Sequence, residues 1–110
     1  MIKQSFANKL LNAAALVTLV SAVAQPAHAA DAFNGERLAE RWCAACHVVA
    51  RDQKQANADV PPFATIAQKS DFTPEKVAFF LLDPHPKMPN FQLSRGEAAD
   101  IAAYIGSLRK

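Results

Sequence analysis

The chain of 110 residues is long enough for one small domain, and its two cysteines exclude a scaffold built on several disulfide bonds. Twelve Lys and Arg residues face ten Asp and Glu residues, and two of the basic residues, Lys3 and Lys9, lie near the N-terminus. Without that segment the charges balance at ten of each sign, so the composition gives no reason to expect nucleic acid as a partner.

Residues 1–29 have the features of a cleaved export signal. A basic start is followed by the apolar run 10–24, and Ala27-His28-Ala29 matches the small-x-small pattern of a signal-peptidase site. The run is interrupted by polar residues and is shorter than the roughly 20 apolar residues of a spanning helix, which favours cleavage over a retained membrane anchor. We therefore expect a mature domain of residues 30–110 in the periplasm, with no membrane attachment after cleavage.

The first part of this domain predicts a helix followed by a long loop. In residues 31–49 apolar side chains recur at three- and four-residue spacing, and Asn34 is suited to cap the helix. The stretch 50–63 is polar and ends at two prolines, which predicts a loop. Residues 64–70 then predict a short helical turn.

Two further helices are predicted in the second half. Thr73 is a good N-cap for a helix that starts at Pro74, and the apolar run 77–82 predicts that this helix is mostly buried. Ser94 and Glu97 form the capping-box pattern of a final helix that reaches the C-terminus. No window alternates like a strand, so we expect an all-α fold with about three main helices around long loops.

Cys43, Cys46 and His47 form the motif C-x-x-C-H, the signature of covalent attachment of a c-type haem. On a helical turn, residues spaced i, i+3 and i+4 share one face. Both thiols can then bond to one edge of a haem while the imidazole reaches the iron. A bound haem would also supply the core that so small a domain otherwise lacks.

Three other interpretations of the cysteines are weaker. A thioredoxin-like redox pair needs a strand before its helix, and no strand is predicted. Structural zinc needs four ligands, and only the distant His85 is available to join the motif. An inert disulfide across a two-residue gap would restrict the unfolded chain very little.

The mature segment resembles the small soluble class I cytochromes c of bacteria. Residues 35–47, "GERLAERWCAACH", are similar to the N-terminal helix of that family, with Gly35 where two helices approach closely. Residues 101–105, "IAAYI", are similar to the helix that crosses it, with Tyr104 as the packing aromatic. The resemblance implies the cytochrome c fold.

One position departs from the family pattern. An aromatic residue usually stands four residues before the first cysteine, where this chain has Ala39. We expect Leu38 and Trp42 to fill that space.

The resemblance also implies the remaining haem contacts. Met88, in a proline-rich loop before the last helix, corresponds to the distal iron ligand, and His85 and Lys87 are rival ligands in the same loop. The carbonyl of Pro61 corresponds to the acceptor that orients His47.

What the resemblance implies for function is a periplasmic mono-haem electron carrier that is not an enzyme. One haem c would be attached through Cys43 and Cys46, and a monomer would exchange single electrons in short-lived contacts with redox proteins, a dehydrogenase as donor and an oxidase or reductase as acceptor. Two alternatives remain open. One is a dedicated electron-accepting subunit of a dehydrogenase that oxidises, for example, sulfite or an alcohol. The other, if Met88 does not ligate, is a ligand-binding or peroxidase-like haem protein.

Overall fold

The computed structural model describes residues 28–54, 56–57, 59–84 and 86–110. This part of the chain is all-α and contains no strand, which confirms the predicted fold class and agrees with a cytochrome c fold. Four helices follow in chain order: α1, Ala32–Trp42; α2, Phe63–Ala67; α3, Pro74–Leu82; and α4, Arg95–Ser107. No helix within the described ranges is long and apolar enough to cross a membrane.

Helices α1 and α4 pack closely because Gly35 has no side chain. A Cβ atom at this position would overlap the carbonyl group of Asp100 and lie 2.9 Å from the backbone nitrogen of Ile101. Next to this contact the Asp100 carboxylate accepts hydrogen bonds from the backbone N–H of Asp31 and the side-chain amide of Asn34, both at 2.7 Å. The start of α1 is thereby joined to the middle of α4.

The boundaries of α1 differ from the sequence prediction. Its N-cap is Asp31, whose carboxylate accepts from the backbone N–H groups of Phe33 and Asn34. Asn34 lies inside the helix, and its side-chain amide donates to Asp100. The helix ends at Trp42, with Cys43 as its C-cap, so the motif lies in the turn that follows.

The starts of α3 and α4 are as predicted. The hydroxyl of Thr73 accepts from the backbone N–H of Lys76, and Pro74 is the first helical residue. At α4 both bonds of the capping box form: the Ser94 backbone N–H donates to the Glu97 carboxylate at 2.8 Å, and the Glu97 N–H donates to the Ser94 hydroxyl at 3.2 Å. These bonds hold the pKa of Glu97 below its ordinary value, the backbone bond being the larger cause.

Helix α3 is less buried than its apolar sequence predicts. Leu81 is buried, whereas Phe79 is 74% exposed, Phe80 44% and Leu82 38%. The reason is geometric, because α4 is the one helix of the described chain that packs against α3, and it covers one side of α3. Contacts within the protein alone therefore bury less of this helix than predicted.

The core lies between α4 and the elements around it. Ile101 and Ile105 of α4 are at most 1% exposed, and Val49, just beyond the motif, is 2% exposed. Apart from Tyr104, whose ring carries a hydroxyl, no residue with a polar or charged side chain is buried among the described residues, so apolar packing dominates this core. Its buried members are Ala39, Cys43, Val49, Phe63, Ala67, Leu81, Ala98, Ile101, Tyr104 and Ile105.

The position that departs from the family pattern is filled by close packing rather than by an aromatic ring of α1. Ala39 is fully buried, and Leu38 packs against the core as expected. Trp42 remains 37% exposed, with its ring centroid 5.7 Å from that of Phe91. Tyr104 is buried in α4, with its ring centroid 6.5 Å from that of Phe63.

Candidate haem site

The motif forms a helical turn directly after α1. The backbone N–H of Cys43 donates to the carbonyl of Ala39 at 2.8 Å, which continues the helical bonding by one residue. The N–H groups of Cys46 and His47 both donate to the carbonyl of Cys43, at 3.1 and 2.8 Å. These three- and four-residue bonds are those of a helical turn, the geometry expected to bring the thiols and the imidazole to one side.

The two thiols are free and differ in their surroundings. Cys43 is buried, and Cys46 is exposed. Burial, with a smaller contribution from Cys46, raises the pKa of the Cys43 thiol to about 11. A thiol with so high a pKa is protonated at neutral pH in the folded domain.

A zinc site finds no support around the cysteines. Among the described residues no three His, Cys, Asp or Glu side chains are placed to hold a metal ion together. His85, which the zinc interpretation would need, lies outside the described residues, and so do residues 1–27 of the predicted signal peptide.

The ring of His47 is oriented from two sides. Its Nδ1 lies 2.7 Å from the carbonyl oxygen of Pro61, and its centroid lies 5.2 Å from that of Phe63. Because a carbonyl oxygen only accepts, Nδ1 carries the proton and donates. The other nitrogen, Nε2, then has its lone pair available for a metal.

The side chain of Gln53 holds the segment that carries the motif, a contact that the sequence did not reveal. Its Oε1 accepts from the backbone N–H of Val49 at 2.9 Å. Its Nε2 donates to the carbonyls of Ala44 and His47, at 3.0 and 2.9 Å. A lone glutamine in a polar loop follows no pattern that would have singled it out.

Other backbone groups of the same segment are also paired. The buried hydroxyl of Tyr104 donates to the carbonyl of Val49 at 2.6 Å, and burial, as the largest cause, raises the pKa of this tyrosine. The N–H of Phe63 donates to the carbonyl of Val48 at 3.0 Å. The N–H of Asn57 donates to the carbonyl of Cys46 at 3.1 Å.

Met88 lies in the loop between α3 and α4 and packs, partly buried, against the core. The same loop contacts the end of α1 through the ring of Phe91, which faces Trp42. Its course is set by Gln92, which has a φ of 53° and donates its backbone N–H to the Asn90 side chain at 2.8 Å. The guanidinium of Arg41, the residue before Trp42, lies 4.8 Å from the centre of the Trp42 ring.

Comparison with known proteins decides the family. Residues 30–105 match the family model described as cytochrome c oxidase, cbb3-type, subunit III. The chain is 65% identical to "Cytochrome c-552" of Bradyrhizobium diazoefficiens (strain JCM 10833 / BCRC 13528 / IAM 13628 / NBRC 14792 / USDA 110) over 94 residues, which cover 86% of this chain and 90% of that protein. The chain belongs to the small class I c-type cytochromes. No solved structure matches it.

As a c-type cytochrome the protein carries a covalently attached haem c and serves as an electron carrier. The groups around the motif fit this cofactor. Two free thiols lie on one turn, and Nε2 of His47, on the same turn, has its lone pair available. The side chain of Trp42, which directly precedes the motif, is partly exposed and offers apolar surface of the kind that a porphyrin needs.

Proposed function

We propose that this cytochrome is a periplasmic mono-haem carrier that moves single electrons between redox proteins. Cys43 and Cys46 would form the two thioether bonds, His47 would be the proximal ligand and Met88 the distal ligand. When bound, the haem supplies an iron that alternates between the ferric and ferrous states. The observation that carries the proposal is the His47–Pro61 bond of 2.7 Å, because it presents Nε2 as a ligand on the turn that holds both thiols.

The residues of the chain would contribute mainly by staying in place. The Pro61 carbonyl holds the proton of Nδ1, which keeps one tautomer and would make the ligating nitrogen a stronger electron donor to iron. Met88 would donate through a soft, neutral sulfur, which favours ferrous iron and raises the reduction potential. Electron carriers benefit when ligands do not move between oxidation states, and the paired backbone of residues 44–49 supports such rigidity.

Electrons would enter and leave on the side of Cys46. This thiol is exposed while Cys43 is buried, so one of the two attachment points lies at the protein surface. Contacts with partners would be small and short-lived, as turnover requires. A dehydrogenase is the proposed donor, and an oxidase or reductase the acceptor. The family description, which names an oxidase subunit, supports an oxidase. We propose a monomer that is exported through the signal pattern of residues 1–29.

The distal ligand separates this proposal from a ligand-binding or peroxidase-like protein. We expect the ferric protein to show the methionine-to-iron charge-transfer band, and Met88→Ala to lose it and to bind carbon monoxide readily when reduced. Leu93→Ala is the matched control, because Leu93 lies in the same loop and also packs, partly buried, against the core. Loss of the band in both variants, or a high-spin ferric wild type at neutral pH, would contradict ligation by Met88.

The partner question needs a different measurement. A free carrier should elute from size exclusion as a monomer at physiological salt and reduce several acceptors. A dedicated subunit of one dehydrogenase would co-purify with that enzyme under the same conditions.

A further inference from the structure

We propose that Gln53 is a positioning residue that sets how firmly His47 binds the haem iron. The inference rests on the proposed ligation by His47. Helix α1 ends at Trp42, so the carbonyl groups of the motif that follows do not all accept hydrogen bonds within a regular helix. The side chain of Gln53 supplies partners for that segment.

The position of Gln53 is itself set by the backbone. Its N–H donates to the carbonyl of Ala50 at 3.2 Å, a turn that brings the loop back toward the motif. From there one amide group reaches three backbone groups, those of Val49, Ala44 and His47.

The orientation of this amide is determined by its partners. Oε1 accepts from an N–H, and Nε2 donates to two carbonyl oxygens. In the reverse orientation the side-chain oxygen would lie against two carbonyl oxygens and the NH2 group against an N–H, so these bonds could not form. Both donor hydrogens and the acceptor are used, in a partly buried environment. A glutamine satisfied in this way is expected to be rigid.

The consequence for His47 is that its main chain and its ring are held separately. Its N–H donates to Cys43 at 2.8 Å, its carbonyl accepts from Gln53, and its Nδ1 donates to Pro61. If the carbonyl is released, the backbone of His47 can shift, and the bond between Nδ1 and Pro61 weakens. A weaker bond there makes the imidazole a poorer donor to ferric iron.

The test uses the haem-loaded protein and the variant Gln53→Leu, which removes all three bonds without changing charge. We expect a higher reduction potential and an exchange of the His47 Nδ1 proton with water that is about fivefold faster, the factor for loss of one typical hydrogen bond. Gln68→Leu is the control, because Gln68 makes a single bond, to the carbonyl of Leu108 at 3.2 Å, far from the motif in sequence. Equal potentials and equal exchange rates in the two variants would overturn the proposal.

A second variant separates positioning from general stability. Tyr104→Phe removes a bond to the same loop, at the Val49 carbonyl, and does not touch the carbonyl of His47. It should lower stability and leave the exchange of the Nδ1 proton close to that of the wild type. If it accelerates exchange as much as Gln53→Leu, loosening of the whole loop explains both, and the specific role is wrong.

A third variant remains informative if Gln53→Leu fails to fold. Gln53→Glu keeps the size and the acceptor for Val49 but places a carboxylate against two carbonyls. The excess of its exchange rate over that of the wild type, compared at each pH, should diminish as the pH falls and the new carboxylate gains a proton that it can donate. An excess that stays constant with pH would contradict the proposal. Failure of the proposed function is seen separately, as a wild type whose His47 shows no iron-shifted resonances.

Discussion

Replacement of Gly35 by alanine tests the contact between α1 and α4. The added Cβ would overlap the carbonyl of Asp100 and lie 2.9 Å from the nitrogen of Ile101. Both groups belong to the helix backbone, so no side chain can rotate away, and the two helices must separate.

The size of the effect follows from two opposing contributions. Overpacking costs about 1–3 kcal/mol, and a rigid backbone neighbour places this case near the upper value. Alanine in place of glycine favours the helix by about 1 kcal/mol. The net loss is therefore about 2 kcal/mol. For a domain of the size of residues 30–105, which match the family, this corresponds to a fall of about 8–16 °C in the melting temperature.

Thermal unfolding of the haem-loaded protein, followed by far-ultraviolet circular dichroism, measures this fall. Gly96→Ala is the matched control, because the nearest atom to a Cβ at position 96 is the Ser94 hydroxyl oxygen at 3.9 Å. That variant should be as stable as the wild type or slightly more stable. If Gly35→Ala melts at the same temperature as Gly96→Ala, the close approach of the two helices is not what requires glycine.

Two further predictions concern hydrogen bonds of α4. Tyr104→Phe leaves the carbonyl of Val49 without its partner and should lower the free energy of unfolding in urea by about 1–3 kcal/mol, whereas a loss below about 0.5 kcal/mol would show that the bond at 2.6 Å contributes little. Glu97→Gln should be less stable than the wild type at neutral pH. Since the folded pKa of Glu97 lies below its ordinary 4.5, the advantage of the wild type should fade as the pH falls from about 4.5 through that lower value. A difference in melting temperature that persists in acid would contradict the role of its charge.

The parts of the fold that could be predicted are those set by neighbours in sequence. The caps of α3 and α4 follow from Thr73-Pro74 and from Ser94 with Glu97, because each cap is satisfied within three residues. The cap of α1 could not be assigned in the same way. Both Asp31 and Asn34 are suitable, and the choice depends on Asp100, which is 69 and 66 residues away from them.

The apolar composition of α3 gave the wrong burial for a related reason. Hydrophobicity indicates that a side chain avoids water when it can, but the number of neighbouring helices decides how many faces are covered. Among the described residues one helix, α4, packs against α3, so the protein itself leaves Phe79 74% and Phe80 44% exposed.

The candidate site shows the same division. The motif and its spacing identified Cys43, Cys46 and His47 as the residues of interest, and the family resemblance pointed to the carbonyl of Pro61, which the structure places 2.7 Å from the His47 ring. Gln53 was missed because its importance depends on a turn in an irregular loop. Its three partners lie four to nine residues away, with no periodicity to mark them.

The pairing of α1 with α4 has a consequence for how the protein matures. Asp31 and Asp100 are 69 residues apart, so the core cannot close until almost the whole chain has emerged. The motif emerges more than 50 residues before the end of α4. During that interval the thiol of Cys43, which is 5% exposed in the folded domain, is still open to the reagents that attach haem. Docking of the last helix buries Cys43, so the order in which the chain emerges leaves this thiol accessible before the domain closes.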